Sequence, residues 1–543
     1  MSWFSGEPCQ CAPWMYVFGV AALFTAVALR KYADRLLCHI ITNYRPMFAL
    51  FVLMPLSALT EAIFYARNRI EVWLLFNRAS GTHATRVAAV QRQLRAWNDE
   101  GRTQKLCTAR PGWMAMSLRV GKYKRTHRGI DVSALRNVLS IDEERRIVHV
   151  EPNVNMGQLT ATLNPMGWTV PVVPELDALT VGGLVNGVGV EATSHVHGLF
   201  LHTCVAYEVA LPSGEVVRCS ADENPRLFRA IPWSHGTLGF LVGAEIKIVP
   251  VKPFVKLTYT PCYDKDTAVA FFQECSHDEA NDFVEGLAYS QDEYVIMTGV
   301  YHDGPGADDE DAAAPTPVNR IGRYWKPWFY KHVQAKLNAG DGAHAELIPL
   351  RDYYHRHTRS IFWELEDIVP FGNHPLFRWT LGWLMPPHIA LLKRTQTEEL
   401  RKLYEQHHVV QDMLVPVSEL GASLDAFHEE FEVYPLWLCP MRIFESDKGF
   451  IGPSPAGEEM FVDVGAYGTP KSAKFTARES CRTVERFVAS VDGFQMLYAD
   501  CYMTRPEFRE MFDHAEYDAL REELGCTDCF PEVYDKVSKA ARH

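Results

Sequence analysis

The sequence predicts an α+β protein tethered to a membrane at its N-terminus, and three observations carry that expectation. The run from Pro8 to Leu29 is uncharged, is almost wholly apolar from Trp14 onward, and has the length of a bilayer span, which needs about 20 residues. The segment Thr180-Val181-Gly182-Gly183-Leu184-Val185-Asn186-Gly187-Val188-Gly189-Val190-Glu191-Ala192 has almost no side-chain bulk and lies among short strand and helix patterns. Beyond Pro253, the runs 256–260, 283–289 and 294–300 alternate as antiparallel strands do.

At the N-terminus, no Lys or Arg precedes the apolar run, and Arg30 and Lys31 follow it. That order suits an uncleaved anchor, about 8–29, with its C-terminal side in the cytosol rather than a cleaved signal. A second apolar segment, about 46–60, is shorter and contains Pro55. It is read as re-entrant or interfacial in preference to a second span, because Arg67 and Arg69 follow and a hairpin would place the main body in the lumen. Val87, Val90, Leu94 and Trp97 recur at helical spacing and mark an amphipathic linker helix. The expected organisation is an anchor over 1–70, the linker over 71–104, a glycine-rich domain over 105–251, a cap over 252–485 and a closing segment over 486–543.

Within 105–251, Leu118 to Tyr123 reads as a strand entering a tight turn that holds Arg119, Gly121 and Lys122. Ile147 to Pro152, Val205 to Leu211 and Ala244 to Pro250 read as strands, and Met156 to Leu163 as a short amphipathic helix. The four glycines of 180–192 remove Cβ atoms and permit positive φ angles that aim N–H groups at an anion, so a phosphate-bearing ligand is expected there. Gly187 to Ala192 also spells G-x-G-x-x-A, the dinucleotide fingerprint. A Rossmann unit would open a long helix at that point, whereas His195-Val196-His197-Gly198 follows within two turns, although Glu208 stands near the distance of the usual acidic residue.

The cap region breaks at an acidic loop, Asp303 to Pro317, and residues 321–440 are crowded with aromatic rings that suit a core or the wall of a large apolar ligand. Leu376 to Leu392 is expected to be a buried core helix, with docking on a lipid surface as the alternative. The basic cluster Arg351, His355, Arg356, His357 and Arg359 reads as a solvated face, a lipid head-group contact or a grip on a phosphate. A net charge of -13 argues against a nucleic-acid surface. Thirteen scattered cysteines with a single C-x-x-C, Cys526 and Cys529, give no metal site. Neither a P-loop nor a G-x-S-x-G elbow is present.

In order and spacing, residues 105–250 resemble the FAD-binding domain of the vanillyl-alcohol oxidase and p-cresol methylhydroxylase superfamily. The stretches Arg110 to Trp113, Arg119 to Lys124, His355 to Trp363 and Gly493 to Tyr502 narrow the resemblance to its sterol side-chain reductases, over nearly all the chain after about residue 70. The resemblance implies two α+β subdomains around FAD, an antiparallel substrate cap, and a pyrophosphate bed along Thr180 to Ala192 and the Arg119, Gly121 and Lys122 turn. Many members attach FAD through a His where Tyr123 stands here, so noncovalent FAD is expected. The resemblance further implies reduction of the carbon 24–25 double bond of a sterol with NADPH, at the endoplasmic reticulum membrane, with a cytosolic catalytic body. A sterol and membrane lipid are the implied partners, with association with other sterol-pathway enzymes left open. An alcohol or lactone oxidase of the same superfamily and a non-catalytic sterol-binding flavoprotein are the rival readings.

The implied chemistry needs an acid, because an isolated alkene accepts hydride only with protonation. Glu191 and Tyr498 are the candidates. Glu191 could instead cap a helix or bind the cofactor ribose, and Tyr498 could be an ordinary buried tyrosine.

Overall fold

The computed structural model describes residues 35–60, 62–63, 79–114, 121–307, 315–340, 342–387, 389–444 and 459–539. The expected span at 8–29 and Arg119 lie outside the described residues. Helices Arg35–Asn43 and Arg45–Thr60 meet at 102°, and no single described helix is long and apolar enough to cross a membrane. The second of them packs Ala49, Leu53 and Met54 into the main core while leaving Met47, Phe51, Leu56 and Leu59 exposed.

Helix Ala79–Asp99 buries Val90, Leu94 and Trp97, the stripe that its apolar spacing creates. They pack against a parallel pair of strands, β1 (Leu106–Thr108) and β2 (Arg128–Ile130), and against Phe240. Next to it lies a five-stranded sheet in the order β3 (Val138–Asp142), β4 (Ile147–Val150), β8 (Phe240–Lys247), β6 (Cys204–Ala210) and β7 (Val216–Ser220). All its pairs are antiparallel, so the G-x-G-x-x-A spelling does not sit in a doubly wound parallel sheet. A short antiparallel ladder joins β5 (Trp168–Thr169) to β9 (Val249–Pro250). Helix Met156–Leu163 starts where the Asn155 side chain accepts a hydrogen bond from the Gln158 amide at 2.8 Å.

The cap is one eight-stranded antiparallel sheet built from β10 (Phe254–Cys262), β11 (Phe283–Ala288), β12 (Tyr294–His302), β13 (His344–Pro349), β14 (Val409–Pro416), β15 (Leu436–Ile443), β16 (Glu459–Gly468) and β17 (Phe494–Gln495). Their order is β13, β10, β12, β11, β15, β16, β14, β17. Alternation divides its residues between two cores. Val284, Met413, Leu438 and Val464 face helices Lys265–His277, Leu420–Glu430 and Ala477–Ser490. Leu287, Leu414, Trp437 and Phe461 face the glycine-rich domain. Glu285, Asp412 and Asp463 share the strand phase of that second set and are fully buried, as Glu346 nearly is, so a largely apolar face carries buried acids.

The closing segment touches both units. Phe494 and Gln495 are the edge strand of the cap sheet, whereas Tyr517 hydrogen-bonds Thr237 at 2.6 Å and Arg226 pairs with Glu516 and Glu523 on the cofactor side.

Residues 376–392 are not one core helix. The stretch divides into helix Pro375–Leu381, a turn at Gly382–Leu384 and helix Ile389–Arg394, because Pro386 and Pro387 supply no N–H and disfavour helical geometry before them. Leu376, Trp379 and Trp383 are consequently 68%, 64% and 58% exposed.

Candidate cofactor and active site

A cavity of about 570 Å³ opens between the glycine segment and the inner face of the cap. Thr180, Gly182, Gly183, Leu184, Asn186, Gly187, Val188, Gly189 and Val190 line one side, together with Gly121 and Tyr123. Phe362, Trp437, Tyr467 and Tyr498 form the aromatic part of the wall, with the aliphatic Ile361 and Val410 beside them. Val181, Val185 and Ala192 are buried in the core instead, and Lys122 opens the turn Lys122–Arg125.

The glycines act differently from the expectation. Val181–Asn186 is a short helix, and none of Gly182, Gly183, Gly187 or Gly189 has a positive φ. The amides of Val181, Gly182 and Gly183 donate to the carbonyls of Val154, Pro152 and Thr180 at 2.9, 2.8 and 2.9 Å, so they do not converge on an anion. What the segment needs is thinness. A Cβ at Gly182 would lie 2.8 Å from the Pro152 side chain, and one at Gly189 would lie 2.8 Å from Leu184 and 3.0 Å from Pro174. Positive φ occurs instead at Gly236 (68°) and Gly239 (149°), which also line the cavity.

Cations complete this wall. Arg110 reaches the Thr180 hydroxyl at 3.3 Å, and Arg110 and Lys393 both face the cavity. Burial, with Arg110 as a like charge, pushes the Lys393 ammonium down to about 7. An anion bound between them would offset the cost of holding both charges out of water. The bare backbone and the two cations fit a long, phosphate-bearing group.

On the cap side, the Tyr467 hydroxyl donates to Asp412 Oδ1, and Tyr498 lies beside the same carboxyl. Burial pushes Asp412 up to about 7, so it holds a proton far above the usual carboxylate range. Asp463, on the neighbouring strand, is also raised by burial and by Asp412, and its two oxygens have no hydrogen-bond partner among the described residues. Glu175 lines the cavity and is also raised well above its ordinary value, chiefly by burial and next by the Glu191 charge.

Glu191 lies just beyond the cavity wall. Its Oε1 accepts from Arg356 Nη2 at 2.6 Å and from the Ala192 amide at 2.8 Å. Arg356 also makes two 2.8 Å bonds to Glu285, and its guanidinium lies 4.3 Å from the Tyr353 ring centroid. Glu285 is lowered despite its burial because Arg356 and His357 surround it, whereas Glu191 is raised by burial. The basic cluster is therefore no open face. Arg356 and His357 are buried in this ion-pair group, His355 pairs with Asp177 at 2.6 Å, and Arg359 donates to the carbonyls of Ile321, Arg323 and Lys326.

Residues 83–220 match the FAD binding domain family. The sequence is 53% identical to the Delta(24)-sterol reductase of Homo sapiens, over 93% of this chain and 95% of the relative. The chain belongs to the Δ24-sterol reductase family. A Caenorhabditis elegans homolog is 46% identical over 93% of this chain and 96% of its own length. The Delta(24)-sterol reductase of Arabidopsis thaliana is 39% identical over 92% of each. A D-arabinono-1,4-lactone oxidase of Yarrowia lipolytica is 35% identical over only 19% of the chain, which confines that likeness to a part of it.

For this member of the Δ24-sterol reductase family, sequence reasoning missed Asp412, Glu175, Arg110 and Lys393 as candidate site residues. One signal was available for Asp412. An acid inside the otherwise strand-like Val409-Val410-Gln411-Asp412-Met413-Leu414-Val415 is costly to bury and calls for a reason. Glu175 and Lys393 carry no comparable local mark, because only the meeting of the cap with the cofactor domain surrounds them.

Proposed function

We propose that this protein is an FAD-dependent reductase that saturates the carbon 24–25 double bond of a sterol side chain at the expense of NADPH. Family membership and the FAD binding domain support the reading. One observation carries the mechanism: a buried tyrosine-carboxyl relay, Tyr498 with Asp412, opens into the same cavity as the thin glycine wall.

Thr180, Gly182 to Leu184, Asn186 to Val190, Gly121, Arg110 and Lys393 are the residues that would hold FAD, bound noncovalently, and the two cations would suit its phosphates. Bound FAD would supply the hydride, replenished from NADPH. The rest of the work falls to the protein.

An isolated alkene is a weak base, so its protonation needs a strong acid kept away from water. A buried phenol alone is a poor one, since burial raises Tyr498 well above its ordinary value. Asp412 solves this. When the carboxyl holds its proton it donates to a phenol oxygen, so Tyr498 can release a proton to carbon 24 while taking one from a group of pKa about 7. The positive charge then develops on carbon 25, against the aromatic faces of Phe362, Trp437 and Tyr467. Glu191 and Arg356 act as positioning residues that fix the end of the glycine segment against the cap strand carrying Glu285.

In the same reading, 8–29 anchors the chain in the endoplasmic reticulum membrane with the catalytic body in the cytosol. The exposed apolar residues of 45–60, with Leu376, Trp379 and Trp383, rest on the lipid from which the sterol enters.

Purified protein supplied with desmosterol and NADPH, with and without added FAD, tests the proposal. In deuterated water the reduced sterol should carry deuterium at carbon 24. Absence of reduced sterol under both conditions would sink the function, and solvent deuterium at carbon 25 alone would sink the mechanism. Acid precipitation should release all the flavin.

A further inference from the structure

Outside the lining of the reaction cavity, His83, His149 and Glu208 bring three ligand atoms within 4.8 Å of one another. None of the three lines the cavity. His83 belongs to the linker helix Ala79–Asp99, His149 to β4 and Glu208 to β6, so one cluster joins three separate elements. We propose that it is a binding site for a divalent transition-metal ion of zinc type, which clamps the linker helix to the cofactor-domain sheet.

The donor arrangement matches what such an ion requires. His83 Nε2 stands 3.0 Å from Glu208 Oε2, and His149 Nε2 stands 3.7 Å from Glu208 Oε1. Two imidazoles and one carboxylate, with a water in the fourth position, form a common tetrahedral zinc set. His83 turns its other nitrogen, Nδ1, to Glu151 Oε1 at 2.7 Å. That outer carboxylate is itself held by Arg86 at 2.8 Å and by the Asn137 amide at 2.8 Å. A carboxylate on the far nitrogen fixes the ring and its tautomer, as metal-bound histidines need. His83 stands between two carboxylates, and an ion on Nε2 would share Glu208 while Nδ1 keeps its bond to Glu151.

Two further observations point to a ligand. His149 Nε2 is shielded from solvent and has no hydrogen-bond partner, yet it is aimed at Glu208. Across the ladder from Glu208 stands Gly243, where a Cβ would come within 2.6 Å of Glu208 Oε2 and 3.1 Å of the same His149 nitrogen. The glycine keeps that space open. With neutral imidazoles, Glu151, Glu208 and Arg86 leave one net negative charge, which suits a cation.

The test uses the full-length holoprotein, stripped with a chelator, loaded with zinc chloride, dialysed and measured by elemental mass spectrometry. The native chain should retain close to one zinc, and zinc should raise its unfolding midpoint. His149→Ala should retain at least about tenfold less and lose the midpoint shift, in line with the effect of disturbing a metal's ligand shell. Gly243→Ala, which leaves every ligand in the chain and adds a methyl group at the vacancy, should do the same. Cys526→Ser should retain as much zinc as the native chain. No zinc on the native chain, equal zinc on His149→Ala, or loss of zinc with Cys526→Ser would each overturn the proposal.

Discussion

Glu191→Gln removes a charge from the pair that holds Arg356 and keeps its shape. The glutamine oxygen can still accept from Arg356 and from the Ala192 amide, the two contacts made at 2.6 and 2.8 Å, and Arg356 retains both of its bonds to Glu285. A hydrogen bond to a charged group contributes about 1.5–3 kcal/mol and a neutral one about 0.5–1.5, so the substitution forfeits about 1 kcal/mol. Relief of the Glu191–Glu285 repulsion and of the buried charge offsets part of that. The unfolding midpoint should therefore drop by no more than about 2–4 °C. Flavin content should stay normal, and sterol turnover should stay within about tenfold, equivalent to ~1.4 kcal/mol. Arg356→Met is the contrasting case. It strands Glu191 and Glu285 as two buried carboxylates without their cation, at a cost of about 3–5 kcal/mol, and should release flavin. The assay is flavin absorbance per chain alongside desmosterol turnover and thermal unfolding. Full flavin with turnover reduced by about 10³-fold or more in Glu191→Gln would refute the positioning role and make this carboxyl the acid.

Tyr498→Phe should keep FAD but lower turnover by about 10²–10⁴-fold, with solvent deuterium incorporation at carbon 24 slowed equally. Asp412 sets a pH limb with a defined sign: its folded pKa of about 7 lies above its ordinary 3.8, so its contribution to stability is full below 3.8 and lost as pH rises to about 7. Turnover should fall through the same upper value in the native chain, and a pH-rate profile of Asp412→Asn should be low and flat. Gly182→Ala drives a methyl group to 2.8 Å from the Pro152 side chain and 3.0 Å from its carbonyl, so it should destabilise by about 1–3 kcal/mol and weaken flavin retention, read by denaturation and dialysis. Lys393→Met removes a buried cation from the cavity wall; flavin should dissociate at least about tenfold faster, while the apoprotein becomes no less stable.

Local patterns revealed local structure. The stripe Val87, Val90, Leu94 and Trp97 is spaced for one helix face, and 254–300 alternates along its strands, because each pattern is created by neighbours in the chain. Prediction weakened where meaning depended on distant partners. Arg351 to Arg359 reads as a charged surface because the sequence does not display Glu191, Glu285 and Asp177 beside it. Leu376 to Leu392 reads as core because hydropathy does not report which apolar residues find a partner; Trp379 stacks on the Trp325 ring, 5.9 Å away, and is still 64% exposed. The four glycines mark a close backbone approach, yet whether they serve φ or thinness depends on Pro152, Pro174 and Leu184 pressing from behind.

The sequence by itself determined the family and marked the glycine segment and Tyr498 as site candidates, since motif order and spacing are properties of the chain. Tertiary structure decided the chemistry around them. Folding the cap over the glycine segment takes Asp412, Glu175 and Lys393 out of water, which raises the two carboxyls and lowers the ammonium. The same closure places Arg356 between Glu191 and Glu285, which makes Glu191 a tie between domains. Desolvation and pairing depend on what lies within a few ångströms in space, and chain order does not contain that distance.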